Sequence, residues 1–218
     1  MPVQAIIGAQ WGDEGKGKIV DLLAQEAEVV VRYQGGSNAG HTVVNEYGKF
    51  ALHLIPCGIF NPEALCIIGT GTVVNLDDLC REIDSLEAKN ISTANLKISD
   101  RAHISLPLYS MLDKLAEAAR GENKQGSTQK GIAPAYAAKS LRVGLQMGEM
   151  LHAEHFERRL RELLAGGNEL ITKIYGGEPM NIEEQVAVIL AQAKRLAPHV
   201  ADTLTLIHNA LEADKKIL

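Results

Sequence analysis

The stretch Val3-Gln-Ala-Ile-Ile-Gly-Ala-Gln-Trp-Gly-Asp-Glu-Gly-Lys-Gly-Lys18 decides the fold class. Residues 3–7 form a short apolar run of the kind that makes a buried strand, and Ile19, Val20, Leu22 and Leu23 recur at helical spacing after Lys18. Between them lie Gly8, Gly12, Gly15 and Gly17. Strand, glycine loop and helix, in that order, gather backbone N–H groups and the positive end of a helix around an anion, and Lys16 and Lys18 add charge. The strict phosphate-loop pattern is not met. With Gly15-Lys16 in the Gly-Lys position, Gln10 stands where the first glycine belongs and Gly17 where Ser or Thr belongs. Asp13 and Glu14 add a condition, because carboxylates facing phosphate repel it unless a metal bridges the two or the carboxylate handles a proton. The alternative is a glycine-rich turn that exposes both acids to solvent.

Working outward, Glu28-Val-Val-Val-Arg-Tyr33 is β-rich and runs into a second glycine loop, Gly35-Gly-Ser-Asn-Ala-Gly-His-Thr42. Residues 42–45 and 49–55 read as a hairpin, and residues 65–68 as a buried strand closed by Gly69-Thr-Gly71. Asn75 or Asp77 then caps a helix through Leu79, Ile83 and Leu86. Residues 96–99 predict a strand and 109–119 a helix, while the polar, glycine-punctuated segment 121–131 reads as a mobile loop. From about residue 140 the pattern is helical, over 150–164, 182–196 and 198–211. The expected fold is α/β, a mainly parallel sheet with variant phosphate loops plus an all-helical subdomain. Residues 1–100 make the nucleotide-binding core, 101–200 the loop and helical subdomain, and 201–218 a helix returning towards the core.

Composition limits the function classes. The 218 residues carry 22 Lys and Arg against 27 Asp and Glu, a net charge of −5, which argues against bulk binding to nucleic acid or an anionic membrane. No window approaches the roughly 18 apolar residues of a membrane span. The N-terminal residues lack the basic and apolar regions of a secretory signal, so a cytoplasmic location is expected. Cys57, Cys66 and Cys80 are too few and too irregular for a disulfide framework or structural zinc, and read as buried free thiols. Of the 20 glycines, 11 lie in the first 71 residues, so the chemistry is expected there. His41, on the second loop beside Asn38, is a candidate acid partner for Asp13; its competitor is a turn histidine bonded to its own loop. His53, inside an apolar strand, reads as a satisfied core residue, and the remaining histidines as surface or packing residues.

Gln10-Trp-Gly-Asp-Glu-Gly-Lys-Gly-Lys18, Tyr33-Gln-Gly-Gly-Ser-Asn-Ala-Gly-His-Thr42, Leu52-His-Leu-Ile-Pro56 and Gly126-Ser-Thr-Gln-Lys-Gly-Ile-Ala-Pro-Ala-Tyr136 together resemble the adenylosuccinate synthetase family in order and spacing. The resemblance implies a purine-biosynthetic ligase that joins IMP and L-aspartate with GTP hydrolysis and Mg²⁺, through 6-phosphoryl-IMP. It makes Asp13 the base at N1 of IMP and a Mg²⁺ ligand, His41 the acid supporting GDP departure, Lys16 a stabiliser of transferring charge, and the Gly40 carbonyl a second metal ligand. Gly12, Asp13, Glu14, Gly15, Lys16, Gly17, Lys18, Gly40, His41 and Thr42 would bind GTP. Asp13, Glu14, Gly15, Lys16, Asn38, Ala39, Gly40, His41 and Thr128 would bind IMP. Arg142 would reach the IMP site of the other subunit of a homodimer.

Three departures from the family pattern are visible. Ala133 replaces a usual glycine and Ala137-Ala138 a usual acidic pair before Lys139; further basic residues are missing around residues 143–146; and family members are about twice as long. The resemblance implies that the guanine- and aspartate-binding segments of the family lie beyond residue 218. The chain therefore reads as a fragment of the ligase or a shortened relative, and the competing function is a purine-nucleotide and phosphate-binding module without turnover. The fragment reading also expects exposed apolar surface and self-association beyond a dimer.

Overall fold

The computed structural model describes residues 3–9, 16–38, 40–45 and 47–218, and for His41 the main chain alone. The central strand is β4, Leu65–Val74, whose residues are buried or half-buried throughout. A continuous apolar run of this kind is what a strand covered on both faces requires. Beside it lie β1, Val29–Gly35, and β5, Leu96–Ser99, with β7, Val200–Ala201, beyond β5. All these neighbours are parallel. The short β6, His103–Ile104, pairs with the far end of β4 through Val73 and Val74.

The expected end of the β4 strand at Gly69-Thr-Gly71 is corrected: the strand runs on through the glycines. Its register against β1 shifts between Arg32↔Ile68 and Gln34↔Gly71, so one strand carries an extra residue there. A Cβ on Gly71 would stand 2.4 Å from the Tyr33 carbonyl oxygen, so only glycine lets the two backbones approach at this bulge.

The first strand expected from the sequence, residues 3–7, is also corrected. Of residues 3–7 only Val3 makes a strand bridge, and it pairs with Ile217. Ile217 in turn bridges Val29, and Leu218 N–H donates to the Val29 carbonyl at 2.9 Å. Residues 216–218 thus lie along the edge of β1. The separate hairpin is β2, His41–Asn45, against β3, Gly48–Leu52, shorter than the expected 49–55.

Seven α-helices are found among the described residues: α1, Lys16–Ala24; α2, Leu76–Glu87; α3, Pro107–Ala119; α4, Ile132–Ser140; α5, Ala153–Glu169; α6, Ile182–Leu196; and α7, Thr203–Glu212. Asn75 caps α2 by accepting the Asp78 N–H at 3.0 Å. Leu76, Leu79, Ile83 and Leu86 bury one face of that helix. The expected 198–211 helix is instead a turn, strand β7 and α7, so the chain returns to the sheet after the helical stretch. One apolar core runs from Ala24 to Leu196 and holds Leu52, Ile68, Leu79, Ile98 and Phe156. Burying each such side chain contributes about 1.5–3 kcal/mol.

The three cysteines are buried free thiols, as expected, and burial pushes Cys57 and Cys66 up to about 12. No helix among the described residues is long and apolar enough to cross a membrane.

Candidate functional site

Strand β1 delivers the second glycine loop at its carboxyl end, the edge at which open parallel sheets bind ligands. Gly35 there has φ +89°, and its N–H donates to the Tyr136 hydroxyl at 3.0 Å, while that hydroxyl donates to the Gly71 carbonyl at 2.7 Å. One phenol from α4 therefore ties the end of β1 to the bulge in β4. Gly36 is seated so closely that a Cβ would lie 2.6 Å from Ile132 Cδ1 and 2.9 Å from Val73 Cγ2. The Gly36 carbonyl accepts from Arg32 Nη2 at 2.8 Å. Burial lowers the proton affinity of that guanidinium, with the Glu82 charge acting in the other direction.

Past this seat the loop turns outward, and Asn38 and Gly40 are exposed. Gly40 meets a residue that periodicity misplaced. His53 is not a core residue; it lies just past β3, with 42% of its side chain exposed. A Cβ on Gly40 would stand 2.5 Å from both Cδ2 and Nε2 of that ring. The physical reason is Glu82, a buried carboxylate on α2 that accepts the N–H groups of His53 at 2.8 Å, Leu54 at 3.1 Å and Ile55 at 3.0 Å. Those bonds draw the chain out of strand geometry after Leu52, and His53 Nδ1 comes to 3.5 Å from Glu82 Oε1. Burial raises the Glu82 carboxyl above the usual range despite these donors.

Lys16 opens α1 and is half-buried with Gly17, whereas Lys18 is exposed. Gly12, Asp13, Glu14, Gly15 and Ala39 lie outside the described residues, as does the His41 side chain. The backbones of His41 and Thr42 begin β2.

Thr128 is exposed at the tip of the 121–131 segment, at the mouth of a cleft of about 690 Å³ between the starts of α2 and α3 and the body of α6. Four residues on, Ile132 touches Gly36, so the Thr128 loop and the glycine loop meet at the start of α4. Arg142 is not brought to them. It follows the far end of α4, about 13 Å along the axis at the helical rise, with φ +61°. It is exposed between Leu141, 72% exposed, and Val143, 49% exposed.

No group of three or more His, Cys, Asp or Glu side chains that could hold a metal occurs among the described residues. The Gly40 carbonyl is a hard oxygen donor on an exposed loop, which suits Mg²⁺, an ion that keeps few protein ligands and completes its shell with water and phosphate. Sequence reasoning gave no role to Arg32, Glu82, Asp113, Glu117 or Tyr136. For Glu82 a signal existed: an acid sits in the apolar stripe of Leu79, Ile83 and Leu86.

The fold and these loops define an open-sheet α/β protein whose second glycine loop sits at the carboxyl end of the parallel strand β1. A family model described as adenylosuccinate synthetase matches residues 5–218, and the chain belongs to that family. It is 47% identical over all 218 residues to the adenylosuccinate synthetase of Dehalococcoides mccartyi, of which it covers 52%. The fully ligated Plasmodium falciparum adenylosuccinate synthetase superposes with a TM-score of 0.88 at 32% identity, covering 99% of this chain and 50% of that one. The cyanophage S-2L succinoaminodeoxyadenylate synthetase, solved with dGMP and dATP, gives 0.52 at 27% identity over 72% of this chain and 46% of its own. The chain spans about half the length of the curated relatives it matches.

Proposed function

We propose that this chain carries the IMP-binding and phosphate-binding half of an adenylosuccinate synthetase, the GTP-dependent ligase that joins IMP and L-aspartate in AMP biosynthesis. The observation that carries the reading is family membership over residues 5–218, combined with two ligand loops that meet at Ile132 on the carboxyl edge of the sheet. In this reading Asp13 takes the N1 proton of IMP, so that O6 attacks the γ-phosphate of GTP and GDP leaves. The amine of aspartate then displaces phosphate at C6. His41 donates a proton at the departing GDP, and Lys16 with the N–H groups of residues 12–18 steadies charge on the phosphates. Asp13 and the Gly40 carbonyl would hold Mg²⁺, which neutralises phosphate charge when bound. Asn38 contacts IMP, and Thr128 binds its phosphate. Arg142, remote from both loops and displayed between two exposed apolar side chains, serves the neighbouring subunit of a homodimer. A cytoplasmic enzyme fits these substrates.

A second reading is favoured by the half-length coverage: a purine-nucleotide-binding module that does not turn over. Titration calorimetry with IMP and with GTP plus Mg²⁺, beside an assay of GTP- and aspartate-dependent adenylosuccinate formation, separates the two. Turnover that Asp13→Ala abolishes supports the ligase. Binding without turnover supports the module, and absence of any nucleotide binding refutes both.

A further inference from the structure

Two acids on α3, one helical turn apart, shape the loop that presents Thr128. Glu117 is buried and accepts three consecutive main-chain N–H groups, from Gln125 at 3.0 Å, Gly126 at 2.9 Å and Ser127 at 3.1 Å, together with Arg120 Nη1 at 3.0 Å. These donors hold its carboxyl below the usual range, the Gln125 N–H foremost. Asp113 accepts the Ser127 hydroxyl at 2.9 Å on one oxygen and the Gly131 N–H at 3.1 Å on the other. Both arms of the loop are thereby fixed to a single rigid helix, and Thr128, Gln129 and Lys130 form the tip between them.

The backbone of this loop is not one that a free chain holds. Gly126 and Gly131 have φ +72°, and Gln129, which carries a Cβ, has φ +56°. A left-handed non-glycine residue costs about 1–2 kcal/mol, so its surroundings must over-determine it. The direction of the N–H groups matters as much. Successive N–H groups in a turn form a nest that binds anions such as phosphate. Here the nest of residues 125–127 already contains an anion, the Glu117 carboxylate. A phosphate at this loop must therefore take its contacts from the tip, from the Thr128 hydroxyl and its neighbours.

We propose that Asp113 and Glu117 are positioning residues for the phosphate subsite: they touch no nucleotide, and they set the place and direction of Thr128. The proposal rests on the reading of Thr128 as a ligand of the IMP phosphate and extends it to the residues that make the loop competent.

The test compares affinities of the 218-residue chain for IMP, for inosine, which lacks the phosphate, and for GTP with Mg²⁺. Glu117→Gln places an N–H₂ group among N–H donors, and Asp113→Ala removes the second tie. Each variant is expected to bind IMP at least about tenfold more weakly, the weight of one hydrogen bond to a charged group. Inosine and GTP affinities are expected to stay unchanged, so preference for IMP over inosine collapses. Thr128→Val is expected to do the same, and adding Glu117→Gln to it to change little more, as for residues acting through one contact. An unchanged IMP-to-inosine ratio in both α3 variants overturns the proposal, as does an equal loss of all three ligands. If Glu117→Gln does not fold, Asp113→Ala, which leaves the Glu117 bonds in place, decides alone. A parent chain that binds GTP but shows no preference for IMP over inosine overturns the assignment of Thr128 itself, an outcome read before any α3 variant is made.

Discussion

Tyr136 shows how much one atom can organise. Its hydroxyl takes the Gly35 N–H and gives its own proton to the Gly71 carbonyl, so it joins the ligand loop to the central strand. Tyr136→Phe leaves both main-chain groups short of a partner and is expected to cost about 1–2 kcal/mol in urea unfolding at unchanged m-value. This role was not legible in the sequence, where Tyr136 figured only as the end of a motif. Its partners are 65 and 101 residues away, and no local pattern encodes them. His53 failed for a related reason. Alternation of apolar residues gave it a strand, but a buried acid on another element bends the chain at that point. Asp13, Lys16, Asn38 and His41 stood out as candidates because glycine spacing and charge within each loop are local facts.

Among the elements, helices with a cap and a clear apolar stripe were read from the sequence, as was strand β5 at Leu96–Ser99, while features that only a distant partner sets were not. Helix α2 was visible from its cap and apolar stripe, and α6 from its acidic first turn and apolar face. The bulge in β4 was invisible, because Gly69 and Gly71 look like a terminator until a second strand lies against them. The close approach there makes a firm expectation. Gly71→Ala puts a methyl against the Tyr33 carbonyl, with backbone on both sides, and is expected to destabilise by about 2–3 kcal/mol or to open the β1–β4 pairing beyond Arg32. Thermal melts, with hydrogen exchange of the β4 amides, would check it; a melting temperature equal to that of the parent would contradict it. The strand β7 and the bridge at Ile217 were missed because two or three residues carry no periodicity.

For the molecule as a whole, pH exposes a buried base. His103 is 8% exposed, and desolvation, with the nearby Lys139 charge second, lowers its proton affinity. The unfolded chain therefore binds a proton that the folded chain refuses. Stability tied to this group is complete above the unfolded value, about 6.5, and is lost as pH falls from there towards the folded value. Glu82, held above its ordinary range by burial, acts with the opposite sign, since the folded state binds its proton more readily. Comparing parent with His103→Gln isolates the histidine: the melting temperature of the variant is expected to change less between about pH 7 and pH 5. A parallel pair of curves would remove His103 from the account. The α/β class and mainly parallel sheet were legible at this scale from the order of strands and glycine loops. The order of strands across the sheet was not, since it is set by pairings between strands far apart in the chain, such as β5 with β7.

The two clamps read main-chain N–H groups, and that sets which substitutions their loops tolerate. Glu117 is indifferent to the side chain at residue 125, so that position can drift in size and charge while the loop keeps its course, whereas residue 127 also gives its hydroxyl to Asp113. Proline is the exception, because it has no N–H to give. Residue 126 is further confined by its positive φ to glycine and, at some strain, asparagine. At Leu54 and Ile55 the same indifference of Glu82 is hidden, because both side chains are fully buried. A site built this way separates its shape, written on helices, from the residues at its surface, and leaves the surface free to be rewritten.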